Sequence, residues 1–499
     1  MADNGAVGGA RIGAVGGAGT GAVGGVATGA GIGAGIGAGI GIGKGAGIGA
    51  GAGVKAAFGL PAGPAAAAVP AVGVAPYQEL TFDVQGDVDP ATRAAVARID
   101  ATDLLVFAHG WNSDRTTATR LFDRFFAPFP GLVGAGVRLG YVGVVWPSIR
   151  FSDEPIPDFD PPAAAGTAAT ATTALDPATR LALGAFWPGR DAELGRVARL
   201  LDERPESEAA FAEFGALVRE LVQVDRAETT AAAAGADGAP EVPDLFARDV
   251  LEVCRALADA LARSGPEGSA APAFAPGDGL RTLWGGAKEL LRQATYYEMK
   301  KRAGVVGERG LGPVLTDLAG RRPALRIHLI GHSFGARVVS FSLRAAPDGA
   351  RHLKSLTLLQ GAFSHYAFSD RLPHDARRGG ALRGLQRKVA GPVVACHSAH
   401  DSALGVFYPL ASRMAGDSAG LLGFDERWGA VGHDGLRAVP DAPRLSLEAA
   451  LRDGLPEAGC VSVDAGSVVR RGGPPSGAHS DVCHEELARI VVGAGRMGR

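Results

Sequence analysis

Cysteine is scarce in this chain. Its 499 residues include four cysteines, Cys254, Cys396, Cys460 and Cys483, and no two of them form a CxxC pair. This scatter argues against a zinc knuckle and against a disulfide scaffold, and it fits a reducing compartment. We therefore expect a cytoplasmic protein.

The chain also lacks a marked excess of charge of either sign. Fifty Lys and Arg residues are balanced by 52 Asp and Glu residues, which gives a net charge of −2 with His neutral. No basic excess indicates a nucleic-acid ligand, and no acidic block indicates a solvating tail.

The opening residues, MADNGAVGGARIG, have neither a basic n-region nor a Leu-rich apolar core, which argues against a secretory signal.

Glycine, by contrast, is abundant, and much of it lies in one segment. Residues 1–76 are almost entirely Gly and Ala with scattered Ile, Val and Thr. Ordering so much glycine has a large entropic cost, and the small side chains bury little surface. The composition therefore predicts a disordered or loosely ordered low-complexity tail. The alternative is a glycine-zipper segment associated with a membrane, because only Lys44 and Lys55 are charged between Ile12 and Gln78.

Apolar runs after the tail predict the strands of one sheet. They lie at Leu104–Ala108, Arg138–Ser148, Ile327–Gly331, Leu353–Phe363, Gly391–Ser398 and Cys460–Gly466. Most are apolar throughout, as expected for a mostly parallel sheet that is covered on both faces by helices. We therefore predict an α/β fold whose core is formed by residues 77–150 and 301–499.

The residues between these two core segments, 151–300, show helical patterns without clear strands. Two apolar stripes have helical spacing: Phe211, Phe214, Val218, Leu221 and Val222 in one, and Leu245, Val250, Leu251, Cys254 and Leu257 in the other. Two Ala/Gly/Pro-rich stretches, 231–243 and 264–279, are typical of loops. The pattern predicts a long helical insertion.

Two GxSxG motifs offer a candidate nucleophile. GHSFG spans Gly331–Gly335 and GDSAG spans Gly416–Gly420. The motif has a mechanical meaning at a strand-to-helix turn, where a tight elbow exposes the serine hydroxyl above the sheet and close backbone packing requires the glycines. Only the first motif lies between a predicted strand and a predicted helix. We therefore assign Ser333 as the nucleophile and interpret Ser418 as a loop serine.

An oxyanion site is predicted at the end of an earlier strand, where the sequence reads HGW from His109 to Trp111. Developing negative charge needs preorganised N–H donors, and the backbone amides of Trp111 and Phe334 are the expected ones. Gly110 allows the tight turn beneath them. His109 and His332 belong to the two motifs, and we expect them to support the site rather than titrate in catalysis.

With these motifs the chain resembles the α/β-hydrolase superfamily, and more narrowly bacterial lipase- and esterase-like serine hydrolases. FAHGWN (Phe107–Asn112) and LIGHSFGARVV (Leu329–Val339) carry the resemblance. It implies a Ser-His-Asp triad in the chain order nucleophile, acid, histidine.

The resemblance places the acid after a late strand and the base last in the chain. Asp401, just past the strand around Val393–Cys396, is the first choice for the acid, with Asp370 as the alternative. His479 is the first choice for the base, in a loop before a helix that we expect Ser480 or Asp481 to cap. His484, expected inside that helix, is the alternative base, and His433 is poorly placed. His397 and His400 form an H-x-x-H pair that we interpret as incidental rather than metal-binding.

The function implied by the resemblance is hydrolysis of a small-molecule or lipid carboxylic ester through an acyl-enzyme, with no metal or organic cofactor. The insertion would then be a cap or lid that limits substrate size. Two alternatives stay open. One is a serine peptidase or thioesterase with the same residues. The other is a non-enzymatic protein whose glycine-rich tail binds a membrane or assembles.

Overall fold

The computed structural model describes residues 71–151, 156, 174–229, 246, 248–263, 279–410, 428–473 and 475–498. The chain divides into two units, Met1–Lys55 and Ala56–Arg499, and every described residue belongs to the second. The glycine-rich segment up to residue 70, the loop at 231–243, nearly all of the loop at 264–279 and the GDSAG motif with Ser418 lie outside the described residues.

Eight strands form one sheet in which every pair of neighbours is parallel. The strands are β1 (Tyr77–Thr81), β2 (Asp103–Ala108), β3 (Leu139–Val145), β4 (Arg326–His332), β5 (Leu353–Leu359), β6 (Pro392–His397), β7 (Arg444–Ser446) and β8 (Gly459–Asp464). Their order in the sheet is β1-β3-β2-β4-β5-β6-β8-β7. The predicted α/β fold is therefore confirmed.

The central strands are buried on both faces. In β2 the side chains of Leu104 and Val106 join one hydrophobic cluster, whereas those of Leu105 and Phe107 join the other. This alternation follows from the two-residue period of a strand. Because both faces need an apolar side chain, the strand sequence DLLVFA is apolar after its first residue.

Helices cover both faces of the sheet. They are α1 (Pro90–Ala97), α2 (Arg115–Phe126), α3 (Phe129–Leu132), α4 (Pro177–Phe186), α5 (Asp191–Glu203), α6 (Glu208–Thr229), α7 (Val250–Arg263), α8 (Trp284–Val305), α9 (Gly312–Arg321), α10 (Phe334–Ser342), α11 (Val431–Asp434), α12 (Leu447–Asp453) and α13 (Glu485–Gly495). Short 3-10 segments lie at Leu280–Leu283, Leu343–Ala345 and Leu385–Lys388, and π-helical turns at Val306–Leu311 and Ala403–Phe407. Within the described residues, no helix combines the length and hydropathy needed to cross a membrane.

The described residues between β3 and β4 form helices α4 to α9 and contain no strand. The first predicted stripe is buried on α6, where Phe211, Phe214 and Val218 are 0% exposed. Of the second stripe, Val250, Cys254 and Leu257 are buried on α7, whereas Leu245 lies outside the described residues. α8 runs past residue 300 and packs against α10, the helix that follows β4.

The order of the strands fixes where a site can form. β2 lies between β3 and β4 in the sheet. The chain passes from β2 to its neighbour β3 on one side and then to β4 on the other side of β2, so the direction in which strands are added reverses at β2. Ligand sites of open parallel sheets lie outside the carboxyl ends of the strands at such a reversal. The HGW residues follow β2 and Ser333 follows β4, so both lie at this point.

Two details of the sequence prediction are wrong. The C-terminal helix begins at Glu485 with His484 at its N-cap, so neither Ser480 nor Asp481 caps it and His484 is not inside it. The carboxylate of Asp481 instead accepts hydrogen bonds from Arg470, Arg471 and His484, so it cannot serve as the cap.

Candidate active site

Ser333 occupies a sharp turn between strand β4 and helix α10. Its backbone has φ 56° and ψ −120°, a conformation that a residue with a side chain rarely adopts and that is found mostly at functional sites. The turn is held by the Ser333 N–H, which donates to the Leu359 carbonyl at 3.0 Å, and by the Ser333 carbonyl, which accepts from Ala362 N at 3.1 Å. The strand-turn-helix context predicted for GHSFG is therefore present.

The glycines around Ser333 are required by close backbone packing. A Cβ on Gly335 would lie 2.0 Å from the Ala108 carbonyl oxygen, and one on Gly331 would lie 2.4 Å from the Gly335 carbonyl oxygen. A Cβ on Gly110 would lie 2.7 Å from Cβ of Ser333. The β2 turn therefore lies directly against the serine. A side chain at Gly110 or Gly335 would push the two turns apart, and a side chain at Gly331 would push strand β4 away from the start of α10.

The side chains of Ser333, His479 and Asp401 form one hydrogen-bonded chain. Oγ of Ser333 lies 2.8 Å from Nε2 of His479, and Nδ1 of His479 lies 2.8 Å from Oδ2 of Asp401. A carboxylate only accepts, so Nδ1 of His479 carries the proton and Nε2 is left to accept from the serine hydroxyl. This is the tautomer that a general base needs. The three residues are 2%, 9% and 0% exposed.

The loops that carry Asp401 and His479 are joined to each other. Asp401 forms an isolated bridge with Gly477, and the Ala478 N–H donates to the His400 carbonyl at 2.9 Å. Oδ1 of Asp401 accepts from Leu404 N at 3.0 Å, so both carboxylate oxygens are held. Gly477 has φ 59°, and a Cβ there would lie 2.5 Å from the His400 carbonyl oxygen. Asp401 and His479 are thus fixed relative to each other by backbone contacts.

His332 and His109 are buried beside this set and stay neutral. Nε2 of His332 donates to the His479 carbonyl at 2.8 Å, and burial lowers the pKa of His332 to about 3. Nδ1 of His109 donates to the Gly110 carbonyl at 2.9 Å, and its ring stacks on Trp146 with centroids 5.5 Å apart. Burial lowers the pKa of His109 to about 4. Both histidines hold backbone in place.

The two predicted oxyanion donors flank the serine. Phe334 is the first residue of α10, and an amide at that position has no carbonyl acceptor within its own helix. Trp111 follows Gly110, whose contact with Ser333 brings the β2 turn to the same place. The rings of Trp111 and Phe334 both contact Tyr296 of α8, with centroids 5.7 and 4.8 Å apart.

The alternative site residues lie elsewhere or have other partners. Asp370 is exposed on the loop after β5, while Asp401 occupies Nδ1 of His479. His433 is bonded to Asp434 at 2.8 Å, and His484 is bonded to Asp481 at 2.9 Å.

The two histidines of the H-x-x-H pair differ in their exposure. His397 is buried at the end of β6, and His400 is exposed. Among the described residues, no group of three His, Cys, Asp or Glu side chains is placed to hold a metal ion.

Asp481 holds the His479 loop, and sequence reasoning missed this role. Its Oδ2 accepts from the backbone N–H groups of Arg470 and Arg471 at 3.0 and 2.8 Å. Its Oδ1 accepts from Nη2 of Arg471 at 2.8 Å and from Nε2 of His484 at 2.9 Å. Burial alone would raise the pKa of Asp481, but these bonds lower it to about 2. The position of this aspartate, two residues after His479, was the sequence feature that could have suggested the role.

A second Ser-His-Asp chain lies inside the sheet. Nδ1 of His328 is 3.0 Å from Oγ of Ser355, and its Nε2 is 3.0 Å from Oδ1 of Asp103. Ser355 and His328 are 0% exposed and Asp103 is 1% exposed. The three residues lie toward the amino ends of β5, β4 and β2, at the opposite end of the sheet from Ser333. Ligand sites of parallel sheets form outside the carboxyl ends of the strands, whereas these three residues lie at the amino ends. We therefore interpret this chain as a structural cross-link of three strands.

Comparison of the sequence and structure with protein-family models, with curated proteins and with solved structures gives no match. The geometry of the site in this chain is therefore the basis for assigning a function.

Proposed function

We propose that this protein is a serine hydrolase of the α/β-hydrolase type that cleaves carboxylic esters. One observation carries the proposal. The hydroxyl of Ser333, raised on a positive-φ turn between a strand and a helix, lies 2.8 Å from a histidine whose other nitrogen is bonded to a buried aspartate. The order nucleophile, acid, histidine along the chain supports the same assignment.

The mechanism follows from the role that each group can take. His479 removes the Ser333 proton through Nε2, and Oγ attacks the ester carbonyl carbon. The backbone N–H groups of Trp111 and Phe334 donate to the oxyanion. Asp401 keeps the imidazole in its tautomer and stabilises the imidazolium. His479 then protonates the leaving alcohol, and it activates the water that releases the acid from the acyl-enzyme.

The helical segment between β3 and β4 supplies one wall of this site, because Tyr296 of α8 contacts the rings of both oxyanion residues. This contact supports a cap role for the insertion, in which the helices limit the acyl or alcohol group that can enter.

A substrate panel tests the proposal. Wild type, Ser333→Ala and Ser355→Ala are assayed on p-nitrophenyl esters of increasing acyl length, on acyl-CoA thioesters and on peptides. We expect ester turnover by wild type and by Ser355→Ala, and a loss on the order of 10⁴- to 10⁶-fold in Ser333→Ala. Preference for acyl-CoA or peptide would replace ester hydrolysis with one of the alternative activities. Absence of turnover on all three substrate classes would refute the proposal.

A further inference from the structure

Tyr296 stands at the centre of an aromatic wall beside Ser333. Its ring lies 4.8 Å from that of Phe334, 5.7 Å from that of Trp111 and 6.3 Å from that of Tyr408. Phe334 directly follows Ser333, and the backbones of Phe334 and Trp111 are the two proposed oxyanion donors. A group bonded to the reacting carbonyl would therefore meet this wall.

Two polar atoms of this wall are buried without a partner. The hydroxyl oxygen of Tyr296 and Nε1 of Trp111 have no hydrogen bond to any other part of the chain that the structure describes. Burial raises the pKa of Tyr296 well above its usual value, so its hydroxyl keeps its proton and can donate. The indole N–H of Trp111 is a donor only.

Such atoms are costly in a folded protein. A buried donor without an acceptor destabilises by about 1–3 kcal/mol, and buried polar groups in native structures nearly always have partners. A wall built only to hold a hydrocarbon chain would be better served by Phe at position 296, which keeps the ring contacts and omits the hydroxyl. A ligand with an acceptor oxygen would satisfy these donors.

We infer that the substrate carries an acceptor oxygen of its own beyond the ester group, as in an ether- or hydroxyl-bearing acyl chain, which is held by the Tyr296 hydroxyl and the Trp111 indole N–H. The inference rests on the proposed ester hydrolysis and narrows its substrate class. A site that offers a hydrogen bond discriminates against an analogue that lacks the matching group, because its buried polar atoms are then left unpaired.

Isosteric esters test the inference. Kinetics with p-nitrophenyl pentanoate are compared with those of p-nitrophenyl 3-methoxypropanoate and p-nitrophenyl 2-ethoxyacetate, in which an oxygen replaces one methylene. Each kcat/KM is divided by the rate of hydroxide-catalysed hydrolysis to remove intrinsic reactivity. We expect wild type to prefer at least one ether ester by about tenfold, the value of one hydrogen bond. Tyr296→Phe should lower that preference, because only the Trp111 indole N–H then remains to donate.

Tyr297→Phe is the matched control. Tyr297 is the adjacent residue, and its ring lies 5.2 Å from Nζ of Lys301, so its substitution should leave the preference unchanged. Thermal melting establishes that each variant is folded. Equal ratios for wild type and Tyr296→Phe, with ester turnover intact, would overturn the inference and leave the proposed function standing. Absence of turnover on every ester in wild type would overturn both.

Discussion

The substitution Asp481→Asn tests whether the His479 loop is positioned by a buried carboxylate. Asp481 is 0% exposed at its side chain and accepts from two backbone N–H groups as well as from Arg471 and His484. An Asn keeps one oxygen but turns an NH₂ group toward donors. We therefore expect the hydrogen bonds at one of the two oxygen positions of Asp481 to be lost and the loop that carries His479 to shift.

The magnitude follows from the pKa of Asp481. The fall of this pKa from 3.8 to about 2 corresponds to at most about 2.4 kcal/mol of folding stability. Solvent screening at the half-exposed Arg471 reduces this contribution to about 2 kcal/mol. Because the folded-state pKa is lowered, this stability is present above about pH 4 and is lost as the pH falls through 2. Asp481→Asn lacks the titrating group. The difference in unfolding free energy between wild type and this variant should therefore shrink to about half of its neutral-pH value by about pH 3.

Urea denaturation between pH 7 and pH 3 measures the difference in unfolding free energy. Ester kinetics measure the displacement of His479, the proposed base. We expect kcat to fall by about 10- to 100-fold, as a misplacement of about 1 Å can cause, with a smaller change in KM. Asp453→Asn is the control, because Asp453 is exposed and pairs with Arg452 on the protein surface. A stable Asp481→Asn with wild-type kcat would refute the positioning role.

Three further outcomes are expected. Asp401→Asn should lower kcat by about 10³- to 10⁴-fold with little change in KM, since the His479 tautomer is lost; an unchanged kcat would remove Asp401 from the site. Ser355→Ala should leave ester turnover intact but lower the free energy of unfolding by about 1–2 kcal/mol, because Nδ1 of His328 loses its partner while Nε2 keeps Asp103; lost turnover with unchanged stability would contradict this. Because burial lowers the pKa values of His109 and His332 to about 4 and 3, the unfolded chain binds more protons below about pH 6.5. Stability measured by urea denaturation should then fall with acid by about 2 kcal/mol per histidine at pH 5, and a flat profile would contradict the burial argument.

The sequence predicted the parts of the fold that are buried on both faces. Strands such as β2 and β4 are apolar runs because two hydrophobic clusters need their side chains. The edge strands β1 and β7 escaped prediction, since YQELT and the three-residue RLS are polar, as one-sided or exposed edge strands are. Their pairing depends on their neighbours, β3 and β8.

The candidate site shows the same division. GHSFG and HGW were recognisable because close packing at Gly110 and Gly335 leaves no room for a Cβ. The hydrogen bonds of Asp481, and the Tyr296 hydroxyl that has no partner within the described part of the chain, were not recognisable, because each depends on which groups surround the side chain in the fold. A sequence shows that an aspartate is near His479, but it does not show that the aspartate is buried and bonded to two backbone amides.

Covalent labelling with a fluorophosphonate probe tests whether Ser333 is the activated nucleophile. We expect one modified peptide, containing Ser333, in wild type and in Ser418→Ala, and no modification in Ser333→Ala. Labelling that persists in a folded Ser333→Ala, or that maps to another serine in wild type, would contradict it.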